Sequence, residues 1–252
     1  MLGSVRAYAT DTLTHGARPD SAGAQAALRL VHPVDLVQVP LFNPTASYAS
    51  YVVPAAFVLI LHQTLLMGAA MLGGVAFERG GLTARHARAS AWAILGQGLA
   101  HWTLYVPAML LYFVVMPRVY GFSTLGSFWA LAALSVPFIL ATSFLGQALG
   151  LLFRHRETAV LIVLASSLPQ FFLVGVSWPA EALPGLLRQA RELLPSVNAI
   201  DGIVRVNQMG ASLFEVRPDW LRLWVLTLLY FAAAMAISQL RAVRAPVGVR
   251  AV

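Results

Sequence analysis

The chain has 252 residues, of which 59 % are hydrophobic and only 11 % charged, and a net charge of +7. Soluble domains carry about 25 % charged residues, so this chain lacks the polar surface to cover itself in water and the bilayer is its natural solvent. Neither cysteine nor lysine occurs, which excludes disulfides, cysteine nucleophiles and a phosphate loop of the G-x-x-x-x-G-K-[ST] type, whose lysine grips the β- and γ-phosphates.

Residues 1–50 are polar to mixed and hold no spanning run. They read as part of an external segment, and no basic stretch followed by an apolar one marks a signal peptide there. Leu36–Phe42 alternates partly as a strand would, with Pro40 at an edge or end. Asn43-Pro44 reads as a turn.

Apolar runs follow at about 52–76, 93–116, 127–153, 158–177 and 221–240. Each is close to the roughly 20 residues that cross about 30 Å of hydrocarbon. Backbone in lipid must satisfy its own hydrogen bonds and strand-like alternation is absent, so the runs are helices. The expected fold is an all-α polytopic membrane domain over 51–241, with short external amphipathic helices and a tail at 242–252.

Arginine density sets the orientation. The short connections around Arg79, Arg85 and Arg88, at Arg154-His-Arg156, and the tail with Arg241, Arg244 and Arg250 are basic. The expectation is a bacterial cytoplasmic membrane, with these loops and the C-terminus inside and the N-terminal segment outside. Arginines scattered between apolar runs, without a stacking aromatic face, do not make a nucleic-acid surface.

Several polar and small residues stand out within the runs. His62 and Gln63 lie mid-span, and Gln97 and His101 share a face by i,i+4 spacing. They mark either a translocation path or interhelical hydrogen bonds, and the absence of an acid at similar depth favours the second. Thr142, Gly146 and Gly150 form a small stripe that lets helices approach closely, within the chain or at an intersubunit seam. Glu78-Arg79-Gly80-Gly81 ends the first run, as a docking element for a cytosolic partner or as snorkelling charges with a glycine cap.

Beyond the fourth run the chain breaks at Trp178-Pro179, with Pro184 and Pro195 after it. In helical projection Leu183, Leu186, Leu187, Ala190 and Leu194 fall on one face, and Arg188, Gln189, Arg191 and Glu192 opposite. Ile200, Ile203 and Val204 make a second apolar stripe. These short helices either lid the outer mouth of a path or rest on lipid headgroups. No catalytic constellation or metal-ligand motif appears.

Further motifs join these: Asn43-Pro44, Tyr51-Val-Val-Pro54, Glu78, Ile94-Leu-Gly96 and the spaced set Phe171, Gly175, Pro179, Pro184, Pro195 and Arg205. In them, over about Leu41 to Arg241, the chain resembles the permease subunits of type-2 ABC exporters, in the branch with a large external domain after the first helix. The resemblance implies a non-catalytic half-transporter that pairs with a second permease and with a cytosolic ABC ATPase, which alone holds ATP and Mg. It further implies a coupling element at Glu78, Arg79, Gly80, Arg85 and Arg88, and an external gate at Phe171, Gly175, Trp178, Pro179, Pro184 and Pro195. The family's Glu-x-Gly-Thr appears here as Glu78-Arg-Gly-Gly81, and its first helix is expected to be missing from this chain. The rival expectations are an ion-coupled carrier or channel using His62, Gln97 and His101, and a truncated membrane scaffold that transports nothing.

Overall fold

Prolines, glycines and one serine cap divide the apolar runs into helices. The computed structural model describes residues 48–86, 90–121, 124–175 and 180–243. Its α-helices are α1 (Tyr48–His86), α2 (Ala91–Leu110), α3 (Met116–Tyr120), α4 (Phe128–Leu152), α5 (Arg156–Leu173), α6 (Gly185–Arg191), α7 (Pro195–Met209) and α8 (Arg217–Val243). No strand occurs among the described residues. The strand-like Leu36–Phe42 and the turn at Asn43-Pro44 lie outside them. Among the described residues five stretches are long and apolar enough to cross a membrane: Val52–Gly80, Ala91–Tyr120, Phe128–Leu152, Arg156–Leu173 and Arg217–Ala242. The chain is an all-α polytopic membrane protein.

Local chemistry explains several boundaries. Ser90 caps α2 by accepting from the Ala93 amide at 3.1 Å, the ordinary role of a serine before a first helical turn. Between α2 and α3 the ladder widens to a π-turn at Leu111–Val115, where the Met116 amide donates to Leu111 O. Pro117 follows and has no amide to offer, so the regular i−4 ladder could not continue unbroken there. Ser212 and Glu215 pin the turn ahead of α8: the Glu215 carboxylate accepts from the Ser212 amide at 2.7 Å and hydroxyl at 2.8 Å. Those bonds hold its carboxyl below the usual glutamate range.

The first run ends differently from expectation. Gly80-Gly81 do not cap α1, which stays helical to His86. The span therefore projects a helical extension beyond the lipid-matched length. The fourth run also stops early, at Leu173 rather than Ser177.

Helix α4 is the hub. Two thirds of its most apolar window is buried, against 17 % for α2 and for α5, and it packs against α1, α2, α7 and α8. Leu134, Phe138, Ile139 and Phe144 are sealed within it. One core joins α1, α4, α7 and α8 through Val58, Leu65, Leu134, Phe138, Ile203 and Leu223. A smaller one gathers Ile94, Leu140, Phe144, Ala148 and Ala234.

Helix α7 corrects the picture of an amphipathic pair resting on headgroups. Val197, Ala199, Ile200, Ile203 and Val206 are all buried, against α1, α4 and α8. The helix is therefore driven into the end of the bundle and closes it. Leu125 N–H donates to Asn207 O at 2.9 Å, fastening the loop before α4 to the end of α7.

Candidate functional site

The small-residue stripe of α4 is a seam within one chain, not between subunits. Cβ atoms added at Gly146 or Gly150 would meet Ala69 Cβ, Leu66 O and the Ala70 backbone of α1 at 2.6–3.0 Å. Gly73 lies equally tight on the backbone of Gly150, and Gly74 on His155 and Arg156. Beside this seam the wholly buried His62 ring meets Thr142 Oγ1 at 3.1 Å. Thr142 gives its own proton to Phe138 O at 2.9 Å, so it accepts from His62 Nδ1.

The other mid-span polar groups also find partners on neighbouring helices. Gln63 Nε2 donates to Gln170 Oε1 at 3.0 Å, and His101 Nδ1 lies 2.7 Å from Ser143 Oγ. Gln147 bridges Ser143 Oγ at 3.2 Å and Ile94 O at 3.3 Å. Such bonds satisfy polar atoms that lipid cannot. Gln97 is half-buried on α2. Three of the four, His62, Gln63 and His101, stitch helices together.

At the end where α1 emerges, Glu78 accepts from the Arg156 amide at 3.0 Å. It thereby serves as the missing N-terminal cap of α5, which has no cap of its own. Arg156 Nε lies 3.8 Å from Glu78 and 3.2 Å from Glu157. His155 brings a third ligand-type atom within 4.8 Å of these acids, but the arginine between them already answers their charge. Arg79 and Gly80 are exposed. Arg85 belongs to the helical extension of α1, and Arg88 lies outside the described residues.

The opposite end, under α6 and α7, holds the densest electrostatics. Arg191, on the face opposite the leucines in projection, is turned inward. Only 5 % of it is exposed, against 79 % of Leu186, because at a membrane boundary apolar side chains are at home outside. Arg191 Nη2 donates to Val174 O at 3.3 Å and lies 3.7 Å from Asp201 Oδ2. Its guanidinium lies over Gly175, which takes φ +90° just beyond α5. Arg205 reaches Asp219 Oδ2 and Glu215 O, each at 3.4 Å. Arg222 joins Glu192 at 3.2 Å and Asp219 at 3.7 Å. Of these groups Asp201, Arg205 and Asp219 supply the polar lining of a cavity of about 240 Å³.

A five-span helical bundle without a phosphate loop, closed at one end by a proline-bounded helix pair, now meets one comparison that decides its family. The family model described as "ABC-2 family transporter protein" matches residues 6–236. The chain belongs to the ABC-2 transporter family. No curated protein and no solved structure matches it. The match reaches further toward the N-terminus than the motifs from Leu41 onward, which alone carried the resemblance in the sequence.

As a permease component of the ABC-2 family, the chain places its expected gate residues as follows. Phe171 stacks edge-on against Phe172, Pro184 precedes α6 and Pro195 opens α7. Trp178 and Pro179 lie outside the described residues. Sequence reasoning passed over Asp201, Asp219 and Arg222 as site residues, and took Arg205 only as a motif match. The signal available was the recurrence of opposite charges over 188–222, in a chain that is otherwise poor in charge.

Asp201 carries a measurable consequence. Although 48 % of its side chain is open, desolvation by the cavity wall outweighs the pull of Arg191 and lifts its carboxyl from 3.8 to about 6. A carboxyl raised in the folded state binds protons more tightly there than when unfolded. Its contribution to stability is full below about pH 4 and is lost as pH rises through about 6. The melting temperature of the wild type relative to Asp201→Asn should therefore fall between pH 4.5 and pH 7. A constant difference across that range would refute the assignment.

Proposed function

We propose that this ABC-2 permease works as one half of an exporter in a bacterial cytoplasmic membrane. It pairs with a second permease and is driven by a cytosolic ABC ATPase that holds ATP and Mg. The observation that carries the reading is the family match over 6–236, joined to the five-span bundle. The lack of any lysine supports an energy source in trans, since this chain cannot form a lysine-bearing phosphate loop.

In this reading the Glu78 end faces the cytoplasm, and α6 and α7 close the external end. Glu78, Arg79, Gly80, Arg85 and Arg88 form the surface on which the ATPase acts. Glu78 suits that role because it ties α1 to the start of α5, so a push on the extension reaches two spans together. Phe171, Gly175, Trp178, Pro179, Pro184 and Pro195 form the external gate. The cargo is apolar or amphipathic, released beneath α6. An ion-coupled path finds less support, because His62 and His101 spend a ring nitrogen on Thr142 and Ser143.

The test is reconstitution. The pure chain in liposomes should hydrolyse no ATP, and activity should appear only when its cognate ATPase subunit is added. Robust hydrolysis by the pure chain would overturn the proposal.

A further inference from the structure

The cavity beneath α6 and α7 contains one charge that its neighbours do not satisfy. Arg205 and Asp219 answer each other at 3.4 Å, and Arg222 adds a second contact to Asp219. Asp201 has only Arg191, at 3.7 Å, which is too long for a hydrogen bond. That guanidinium gives its bond to Val174 O instead. Among the described residues the Asp201 carboxylate accepts no hydrogen bond, and 48 % of its side chain is open. The remaining walls are apolar: Ala55 from α1, Val174 after α5, and Ile200 and Val204 from α7.

We propose that this cavity is a binding site for a monovalent organic cation, an ammonium on a short apolar body, with Asp201 as its counter-charge. The volume of about 240 Å³ equals roughly eight waters at about 30 Å³ each, enough for a small alkylamine or for the ammonium end of a lipid headgroup. An ammonium supplies what Asp201 lacks, a donor at hydrogen-bond distance, and charge-assisted bonds of this kind are the strong ones. Arg191 faces Asp201 from α6, Glu192 from just after it, Arg205 from α7 and Asp219 from α8, while α1 and the end of α5 bring no charge. Desolvation raises the Asp201 carboxyl, and Asp219 and Glu192 add to that rise against the pull of Arg191 and Arg205. The site stands on this geometry whether or not the chain exports.

The full chain in phosphatidylcholine nanodiscs should bind n-butylamine at pH 8, followed by titration calorimetry, and should not bind n-butanol or butyrate. Asp201→Asn should weaken that binding about tenfold or more, the scale of one charge-assisted bond. Lowering the pH to 5 should weaken it likewise, because Asp201 becomes protonated while the amine keeps its charge. Val204→Phe leaves the carboxylate in place and fills the space, so it should abolish binding, and it decides the matter together with the pH series if Asp201→Asn does not fold. Phosphatidylethanolamine added to the nanodiscs should compete with butylamine if the occupant is a headgroup and leave it unaffected if it is a free amine. Butylamine binding no tighter than butanol, or unchanged in Asp201→Asn or Val204→Phe, would overturn the proposal.

Discussion

Gly150→Val is expected to abolish the folded bundle, and Gly150→Ala to lower its melting temperature well outside error. A Cβ at Gly150 would lie 2.7 Å from Ala70 O and 3.1 Å from Ala70 Cα. These obstacles are backbone atoms of α1, which cannot rotate aside as a side chain can. The same crossing is tight from the other strand of contacts, since Gly73 faces the Gly150 backbone. Relief therefore requires α1 to move off α4, the hub of the bundle. Extra methylenes in a packed core cost about 1–3 kcal/mol or more, out of a total stability of about 5–15 kcal/mol. Valine adds three carbons at a site with room for none. Gly96 supplies the control, because nothing lies within 4 Å of a Cβ there. Gly96→Ala should be neutral or gain up to about 1 kcal/mol of helix propensity. Size-exclusion profiles and thermal unfolding in detergent separate the outcomes. A Gly150→Ala protein that melts with the wild type would show that α1 and α4 do not cross at this point.

The spans were legible because lipid thickness fixes a length that any apolar run either meets or misses. Hydropathy could not reveal which span is central, since in lipid an outward leucine is as content as an inward one. The small stripe at Thr142, Gly146 and Gly150 was the better guide, and it marks the face that α1 occupies. The end of α1 was misread for a different reason. Gly80-Gly81 resembles a cap, but Thr83, Ala84 and Arg85 can continue the helix, and glycine within a helix costs only about 1 kcal/mol. The value of Glu78 to α5 is a tertiary effect that no local pattern displays.

The site was less legible than the fold. The projection of Gly185–Leu194 set Arg191 among the polar residues opposite the leucines, and left open whether the helix lids a path or rests on headgroups. Here Leu186 is 79 % exposed and Arg191 is buried. Two facts in the sequence bear on Arg191: Asp201 follows ten residues after it, and Gly175 carries no side chain. Neither is decisive without the fold that brings the three together.

Gly175 provides the sharpest test of that end. It adopts φ +90° directly after α5, in a region that L residues enter only with strain. Alanine there is expected to cost about 1–3 kcal/mol, whereas at an ordinary position the same change stabilises by about 0.4–1 kcal/mol through the unfolded chain. The sign of the effect is therefore diagnostic. An alanine Cβ would also lie 3.4 Å from Arg191 Nη1 and 3.5 Å from Nη2, so the guanidinium would have little room to absorb the change. Relaxing φ toward negative values would swing Val174 O away from Arg191 and deform the cavity wall next to Asp201. The expected order of melting temperatures is Gly175, then asparagine, which tolerates positive φ best among the others, then alanine, and lowest valine. Butylamine binding should fall in the same order, because Val174 and Gly175 border the Asp201 cavity. An alanine variant more stable than the wild type would place residue 175 in ordinary helical backbone and remove the seat on which Arg191 rests.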